Sequence, residues 1–435
     1  MLVRLFGSNF RSLKTKFELS LVAADMKRKE DRNRGIIDVQ LAGIDEPLRL
    51  LRTVAIFGHN GSGKSTVLVA ASALHWLVKH SSAQSKPGGT IPPYEPFLLD
   101  NTTREAPVTL GCEVVHGESL LRYEISYRAK AIETEVLTAL NGTNEVTLID
   151  RQPSGVILGD LITGSDANQL YVKAMQPNVA VLSKLAQHGP AKGPDSVQSH
   201  YKAIVNATMC ADYSAAAALT EAIGDSSNDR FADDEDYRKW IMQNLIAASD
   251  VGIRDVRTSR EDIVVPDFLK QLASGNEGFK LPEKRVVVAF VHGGADSRAL
   301  AFSDESAGTK KLFNIAGDWW ALSHQQITLL ADELGASLHP RLLDALVRAV
   351  NDAPSERRSQ LIFATHDTGL LEGHDGEPPA LRRDQVYFSK KDGDGASELY
   401  SLAEFREGAR PVHNLRKRYL SGLYGAIPLV ERLSL

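Results

Sequence analysis

The chain contains 435 residues, of which 50 are Lys or Arg and 55 are Asp or Glu, so its formal net charge is −5. Apolar residues make up 43% and charged residues 24%, values that exclude a disordered chain, a collagen and a simple coiled coil. The negative net charge argues against a protein that coats nucleic acid over its whole surface. The length suits about three domain-sized units, or one large domain with a long insertion.

The two cysteines, Cys112 and Cys210, are too few for a disulfide scaffold or a cysteine-rich zinc site, and they are typical of a reducing compartment. Residues 1–6 lack the apolar core of a signal peptide. The most apolar stretch, residues 286–291, is far shorter than the roughly 20 residues that a membrane-spanning helix needs. We therefore expect a soluble, cytoplasmic protein with no membrane partner.

Apolar patterning near the start of the chain predicts strands at residues 3–6 and 17–23. A basic stretch at residues 27–34 is interpreted as a loop or hairpin tip. A solvated charged loop is its plain interpretation, and contact with a nucleic-acid backbone is the alternative. Residues 81–105 are predicted to be a loop, and residues 107–150 alternate apolar and polar side chains, which predicts an antiparallel β-meander.

A predicted strand at residues 50–57 leads into a glycine-rich sequence, and residues 67–80 then have helical spacing. Residues 58–65 match G-x-x-x-x-G-K-[ST], the P-loop pattern, whose glycines let backbone N–H groups face phosphates at a helix start. Lys64 would reach the β- and γ-phosphates of a nucleotide such as ATP, and Ser65 would bind Mg²⁺. The predicted nucleotide-binding residues of this loop are Gly58, Asn60, Gly61, Gly63, Lys64, Ser65 and Thr66.

The chain changes character near residue 165. Residues 165–280 are predicted to be mostly helical, with an Ala-rich run at 215–218 and an acidic cluster at 233–236 that we interpret as a solvated surface. Beyond residue 285, apolar strands alternate with helices, which favours a parallel α/β sheet. The elements predicted there are strands at 286–291, 326–331 and 360–365 and helices at 309–324 and 340–351.

The strand predicted at residues 326–331 ends in two carboxylates, Asp332 and Glu333. An aspartate at a strand end is suited to assisting Mg²⁺ beside a P-loop, which is the role predicted for Asp332. Glu333 is suited to act as a general base that polarises the attacking water. The alternative is a strand followed by an acidic pair that only caps a helix.

His366 directly follows the strand predicted at residues 360–365. A side chain in that position lies at the ligand-binding edge of a parallel sheet, where it would sense the γ-phosphate or hold the water. A purely structural histidine is the alternative. The pairs His366-Asp367 and His374-Asp375 also suggest a metal-dependent HD phosphohydrolase. Such sites need ligands from a helical bundle, whereas His366 follows a strand.

Ser306 precedes the helix predicted at residues 309–324 and is predicted to be its N-cap. Gly308 would allow close approach of another backbone, and Thr309 follows it. A capped helix with an exposed Ser-x-Gly start is suited to a second phosphate-binding site. An ordinary N-cap is the alternative.

The order of these motifs is similar to that of the ABC-type ATPases. Asn9-Phe10-Arg11-Ser12 resembles the start of the SMC, RecF and OLD branch of that group, and residues 332–340 resemble the segment after its Asp-Glu strand. The C-terminal part looks like the stand-alone AAA family ATPases of bacterial phage-defence and abortive-infection operons, of the RloA, Septu and PARIS type. That resemblance rests on residues 365–371, 381–387, 397–401 and 418–428.

The resemblance implies two ATPase heads that sandwich two ATP molecules, each bound to one P-loop and met by the helix start of the partner. In such a dimer, Ser306, Gly308 and Thr309 would act in trans. The resemblance carries over Glu333 as the catalytic base and His366 as the switch histidine. It also carries over the other predicted roles, namely catalysis and phosphate binding by Lys64 and Mg²⁺ binding by Ser65 and Asp332.

Two features depart from the family pattern. The segment at 306–309 reads Ser-Ala-Gly-Thr where the family has Ser-Gly-Gly, and residues 96–100, the expected place of the Q-loop, contain no glutamine. The first departure motivates one alternative, a nucleotide-gated scaffold that does not hydrolyse ATP. The basic residues at 27–34 and 416–418 motivate another, a RecF-like DNA-repair ATPase.

We therefore predict an α/β P-loop NTPase, an ABC-type ATPase head with an N-terminal antiparallel β-meander and a mostly helical insertion. The predicted domains are an ATPase lobe at residues 1–164, the insertion at 165–284 and a second ATPase lobe at 285–435. The predicted function is ATP hydrolysis by a homodimer or higher homo-oligomer that acts as sensor or regulator in anti-phage defence. Its partners would be a separate effector, a nuclease in many relatives, and a trigger such as DNA or a phage protein.

Overall fold

The computed structural model describes residues 1–25, 33–159, 166–188, 196–211, 226–249, 252–262, 284–293, 298–374, 376–405 and 414–427. The chain divides into two compact units. Unit 1 consists of Met1–Cys210, Gln325–Leu334 and Asp344–Leu435, and unit 2 consists of Ala211–His324 and Gly335–Leu343. Most of the predicted basic loop, the predicted Ala-rich run and Asp375 lie outside the described residues.

The described strands form a seven-stranded sheet, a six-stranded sheet, a three-stranded sheet and a two-stranded pair. In chain order they are β1 (Leu2–Ser8), β2 (Phe17–Ser20), β3 (Ile36–Val39), β4 (Leu48–Leu51), β5 (Thr53–Phe57), β6 (Val108–His116), β7 (Ser119–Tyr127), β8 (Ile132–Asn141), β9 (Asn144–Gln152), β10 (Gly155–Leu158), β11 (Met209–Ala211), β12 (Ile253–Asp262), β13 (Lys284–His292), β14 (Ala299–Ala301), β15 (Thr328–Ala331), β16 (Gln360–Thr365), β17 (Val386–Lys391) and β18 (Ser397–Ser401).

The described α-helices range from one turn to more than four turns. In chain order they are α1 (Lys64–Lys79), α2 (Ser81–Gln84), α3 (Asp166–Lys173), α4 (Val181–His188), α5 (Val197–Ala207), α6 (Ser226–Asp233), α7 (Glu235–Ile241), α8 (Ala307–Asn314), α9 (Ala316–His324), α10 (Pro340–Asn351) and α11 (Leu415–Leu420). Short 3₁₀ turns occur at Ala247–Ser249, Phe302–Asp304, Thr368–Leu371, Arg383–Gln385 and Leu402–Glu404, and a π-helical turn occurs at Met242–Ile246.

The seven-stranded sheet is antiparallel, with the strand order β10-β9-β8-β7-β6-β1-β2. The alternation that predicts a meander also decides which face is buried, because successive side chains of a strand point to opposite faces. In β7, for example, Leu121, Tyr123, Ile125 and Tyr127 are buried, whereas the residues between them are more exposed. The predicted β-meander is confirmed as β6 to β9.

The six-stranded sheet has the order β11-β15-β16-β5-β17-β18, and β15, β16, β5 and β17 run parallel. Every residue of β5, β15 and β16 is buried, as expected for parallel strands with both faces covered. Ala331 pairs with Phe363, and Thr365 pairs with Phe57. The carboxyl ends of β15, β16 and β5 therefore lie together at one edge of the sheet.

The strand predicted at residues 50–57 is divided in two at Arg52. Its first part, β4, pairs with β3, and its second part, β5, joins the parallel sheet. Between them, the buried guanidinium of Arg52 donates hydrogen bonds to the carbonyls of Pro354 at 2.8 Å and Arg357 at 2.5 Å. The apolar pattern is continuous because both parts are buried, and it therefore hides the point at which the chain changes sheets.

The two large sheets of unit 1 are joined through α1 and through one side chain. Helix α1 packs against β6 of the antiparallel sheet and against β15 and β16 of the parallel sheet. The buried amide of Gln360 accepts from Leu2 N at 2.8 Å and donates to Leu2 O at 3.0 Å and Leu51 O at 3.1 Å. It thus replaces a backbone partner and fastens β1 to the parallel sheet.

Unit 2 contains the antiparallel sheet β12-β13-β14 and a cluster of aromatic side chains. The Phe313 ring lies 5.3 Å from that of Phe231 and 5.2 Å from that of Phe290. The strand predicted at residues 286–291 is present within β13, but its assignment to a parallel sheet is wrong. The helix predicted at residues 309–324 is broken near Ile315 into α8 and α9.

These elements confirm the predicted fold class. The protein is an α/β P-loop NTPase with an antiparallel β-meander in its N-terminal part and a mostly helical segment, α3 to α7, between the meander and β13. The proposed three-domain division of the chain stays a prediction.

Candidate nucleotide-binding site

The conformation of the loop between β5 and α1 requires glycine at several positions. Gly61 and Gly63 have φ angles of 76° and 103°, in the left-handed region that favours glycine. A Cβ on Gly63 would collide with the Ser397 hydroxyl, and a Cβ on Gly58 would collide with the Ser389 carbonyl. Around Gly61, in contrast, no described atom lies within 4 Å of such a Cβ.

Lys64, the first residue of α1, folds back over this loop. Its side chain is only 7% exposed, and Nζ donates to the carbonyls of Gly58 at 2.9 Å and His59 at 3.1 Å. Burial lowers the pKa of Lys64, and the negative charges of Asp332 and Glu333 act in the opposite direction. The carboxylates predicted from a distant part of the sequence therefore lie within electrostatic reach of the P-loop lysine.

A pocket of about 290 Å³ opens at the P-loop. Ser65 is exposed there, and Gly63, the N-cap residue of α1, has no side chain that could cap the first backbone N–H groups of the helix. Three residues from outside the loop also line the pocket, namely Arg11, Ser12 and Lys391. This combination of a cationic wall and uncapped N–H groups is suited to a phosphate chain.

Asp332 and Glu333 follow β15 at the same sheet edge as the P-loop. Asp332 is half-buried, and its Oδ1 atom is buried without a hydrogen-bond partner among the described residues. A buried carboxylate oxygen needs a donor or a cation, and together with the Ser65 hydroxyl it offers the hard oxygen ligands that Mg²⁺ prefers. The residues therefore fit a Mg²⁺ ion.

Glu333 is exposed and has a φ angle of 45°. This left-handed conformation costs a non-glycine residue on the order of 1–2 kcal/mol. Strain of this kind tends to cluster at functional sites, and here it occurs at the residue predicted to be the general base.

His366 lies beside the P-loop because Thr365 of β16 pairs with Phe57 of β5. Its side chain is exposed at the carboxyl edge of the sheet, as expected for the predicted role. The next residue, Asp367, has a structural task, since its carboxylate accepts a hydrogen bond from Gly369 N at 2.8 Å and caps a 3₁₀ turn. The described residues contain no group of three or more His, Cys, Asp or Glu side chains that would hold a metal in the HD manner.

A chain of hydroxyl groups connects the P-loop helix to two distant segments. Ser397 Oγ donates to Ser12 Oγ at 2.8 Å, and Ser12 Oγ lies 3.2 Å from Thr66 Oγ1. The backbone N–H of Ser397 also donates to the Ser12 carbonyl at 2.6 Å. No site role was predicted for Ser12 or Ser397. The only available signals were the family resemblances carried by residues 9–12 and 397–401.

Arg11 is a further cation in the lining of the pocket, besides Lys64 and Lys391. It forms a bidentate ion pair with Glu95, in which Nη2 lies 3.2 Å from Oε1. Nearby, the buried Asn9 side chain accepts a hydrogen bond from Phe97 N at 3.1 Å and donates to the Thr103 carbonyl at 3.0 Å. The segment expected to hold the Q-loop is therefore fastened to the N-terminal segment.

Ser306, Gly308 and Thr309 lie in unit 2 at the start of α8. The Ser306 hydroxyl accepts a hydrogen bond from Thr309 N at 3.1 Å, which confirms the predicted N-cap. Ser306 is exposed, and Thr309 is buried. A Cβ on Gly308 would lie 2.9 Å from the Ser337 carbonyl, so close backbone packing alone accounts for this glycine.

The basic cluster at 416–418 lies on α11, and part of its charge is paired. Arg416 contacts Glu372 at 2.6 Å and donates a hydrogen bond to Thr368 at 3.1 Å. This pairing reduces the charge that the cluster presents to a nucleic-acid backbone.

Comparison with known proteins gives one family match. The family model described as "AAA domain, putative AbiEii toxin, Type IV TA system" matches residues 215–372, less than half of the chain. The matched region contains Ser306, Asp332, Glu333 and His366, and it begins well after the P-loop. No curated protein matches the sequence.

Solved structures of SMC head domains are among those that match. An SMC head bound to the C-terminal winged-helix domain of ScpA is 13% identical, with a TM-score of 0.38, and 92% of this chain and 97% of that chain are covered. The SMC head domain from Thermotoga maritima is 15% identical, with a TM-score of 0.33 and coverage of 92% and 98%. An SMC head with an extended coiled coil, bound to the C-terminal domain of ScpA derived from Pyrococcus furiosus, is 13% identical, with a TM-score of 0.37 and coverage of 97% and 99%.

Within the described part of the chain, no helix combines the length and apolar character that crossing a membrane requires.

Proposed function

We propose that this protein is an ATPase that binds Mg²⁺ and ATP at the P-loop pocket and hydrolyses the γ-phosphate. One observation carries the proposal: the pocket, the two carboxylates after β15 and His366 after β16 lie at one edge of the parallel sheet. The P-loop backbone and Lys64 would bind the phosphates. Glu333 would take a proton from the attacking water, and His366 would hold that water or sense the γ-phosphate.

Ser65 and Asp332 are the residues that would hold Mg²⁺. The bound ion would neutralise part of the charge on the phosphate oxygens. The unpartnered Asp332 Oδ1 and the exposed Ser65 hydroxyl support this assignment. Asn60, Gly61 and Thr66 complete the loop around the phosphate chain.

The finer proposal is a regulatory one. Two copies would sandwich ATP head to head, with Ser306, Gly308 and Thr309 of one copy acting on the nucleotide of the other. The closed form would control a separate effector, such as a nuclease, in an anti-phage defence system. The exposure of Ser306 supports the first part, and the family description, which names a type IV toxin–antitoxin system, supports the second.

Steady-state phosphate release tests the ATPase proposal. In wild-type protein we expect Mg²⁺-dependent turnover, and Glu333→Gln should lower it on the order of a hundredfold or more while ATP binding is retained. Equal turnover by the two proteins would exclude Glu333 as the base. Binding without turnover in the wild type would favour a non-hydrolysing scaffold instead.

Light scattering of Glu333→Gln with and without Mg-ATP tests the sandwich. Blocked hydrolysis should trap the closed form, so the mass should double when ATP is added. Lys64→Ala in the same background provides the control, because it should stay at the lower mass. A monomeric mass with and without Mg-ATP would contradict the head-to-head dimer, and a higher mass already present without ATP would indicate a constitutive scaffold.

A further inference from the structure

We propose that Lys391, supplied by the C-terminal hairpin β17–β18, binds the phosphate chain of the nucleotide together with Lys64. This inference rests on the proposed function, because it assigns a further ligand contact to the same pocket. The hairpin lies more than 300 residues after the P-loop in the sequence, and no motif there predicts a nucleotide contact.

Strand alternation places Lys391 on the face of the hairpin that covers the P-loop. Ser389, two residues earlier and therefore on the same face, donates from Oγ to the Ser62 carbonyl at 2.8 Å. Ser397 pairs directly with Lys391 across the hairpin, and its hydroxyl lies against Gly63. Lys391 itself lines the pocket.

The neighbouring Lys390 points the other way. It forms an ion pair with Glu398 at 2.8 Å, and its ammonium lies 5.1 Å from the centre of the Tyr400 ring. The two adjacent lysines therefore have the same charge and different surroundings, which provides a matched control within the chain.

The charges of the pocket single out Lys391 among its cations. Lys64 is bound to two loop carbonyls, and Arg11 is paired with Glu95. Lys391, in contrast, is exposed, and its ammonium group forms no hydrogen bond or ion pair with any residue that the structure describes. Its flexible four-carbon stem carries a point charge that is suited to phosphate oxygens.

Titration calorimetry with Mg-ATP tests this assignment on four proteins: wild type, Lys391→Ala, Lys391→Arg and Lys390→Ala. We expect about a tenfold loss of affinity in Lys391→Ala, consistent with one charge-assisted contact, and recovery of much of it in Lys391→Arg. Lys390→Ala should stay within about twofold of wild type. Because Lys391 is exposed, the melting temperature without nucleotide should be unchanged.

Competition by inorganic tripolyphosphate identifies the part of the nucleotide that is contacted. If Lys391 binds phosphates, Lys391→Ala should weaken tripolyphosphate by a similar factor. If Lys391→Ala lost affinity for ATP and not for tripolyphosphate, the phosphate assignment would be wrong. If Lys390→Ala and Lys391→Ala lost the same affinity, the cause would be the net charge of the protein and not a specific contact. Wild-type affinity in Lys391→Ala would also overturn the assignment. A wild-type protein that binds no ATP would instead refute the proposed function.

Discussion

Two helix starts in this protein have Gly- and Ser-containing sequences that suggest phosphate binding, and the structure treats them differently. The N-cap residue of helix α1, Gly63, has no side chain to cap the helix, and Ser65 is exposed in a pocket beside it. Helix α8 is capped by the Ser306 hydroxyl, and Gly308 is explained by its approach to a carbonyl. The start of α1 has backbone N–H groups without a side-chain cap among the described residues, whereas at the start of α8 the Ser306 hydroxyl caps the helix.

This difference shows which part of a motif carries information about a ligand. An N-cap serine stabilises any helix, so its presence before α8 has a sufficient local cause. Among the described residues, no side chain caps the start of α1, and none forms a hydrogen bond with Asp332 Oδ1. A phosphate chain with Mg²⁺ would account for both.

We expect nucleotide binding to weaken most when the P-loop lysine is removed. Lys64→Ala should weaken Mg-ATP on the order of a hundredfold, because it removes a charge-assisted contact that is partly shielded from water. The measurement is isothermal titration calorimetry. Lys79→Ala, an exposed lysine in the last turn of the same helix, is the control and should bind as the wild type does. If the two variants bound Mg-ATP with similar affinity, Lys64 would not be a phosphate ligand, and the start of α1 would no longer differ from that of α8 in binding a nucleotide.

The next effect concerns the glycines of the loop. Gly63→Ala should lower the free energy of unfolding by about 2 kcal/mol, since it combines left-handed strain with a collision against Ser397. Gly61→Ala faces only the strain and should cost about 1 kcal/mol. Urea denaturation followed by circular dichroism measures both. If Gly61→Ala lowered the free energy of unfolding as much as Gly63→Ala, contact with the hairpin β17–β18 would not be the cause of the larger loss expected at Gly63.

A smaller effect is expected at the predicted Mg²⁺ ligand. Asp332→Asn should reduce ATP affinity about tenfold in the presence of Mg²⁺ and little in EDTA, because the variant loses charge at the cation site. The control is Asp352→Asn, an exposed aspartate just after α10. Both variants are compared by calorimetry with and without the ion. Equal losses of ATP affinity with Mg²⁺ and with EDTA would indicate that Asp332 acts through Lys64 and not through a cation.

The smallest effect is expected at α8. Ser306→Ala should lower the free energy of unfolding by about 1 kcal/mol through loss of the N-cap, whereas Ser306→Asp should preserve it. ATP-dependent dimerisation of Glu333→Gln then separates the two roles. A cap alone predicts that Ser306→Asp dimerises normally. The proposed contact in trans predicts that it does not, because the new carboxylate would repel the phosphates of the partner's nucleotide.

Local sequence patterns predicted an element correctly where the element depends only on its own residues and their neighbours along the chain. The alternation at residues 107–150 predicted the meander, because one face of each strand is buried. The pattern at 286–291 predicted a strand but assigned it to the wrong sheet. A short apolar strand has the same appearance in any buried sheet, and the choice of β12 and β14 as its partners is a long-range decision.

At the candidate site, local motifs were enough to predict the P-loop, the acidic pair after β15 and the histidine after β16, because each is a short motif at the end of an apolar strand. Strand pairing across the sheet brings these three segments to one edge, and the folded chain adds Arg11, Ser12 and Lys391 to the lining of the pocket. The reason is physical. A helix start or a strand end is fixed by interactions over a few residues, whereas a pocket wall is fixed by strand pairing between segments hundreds of residues apart.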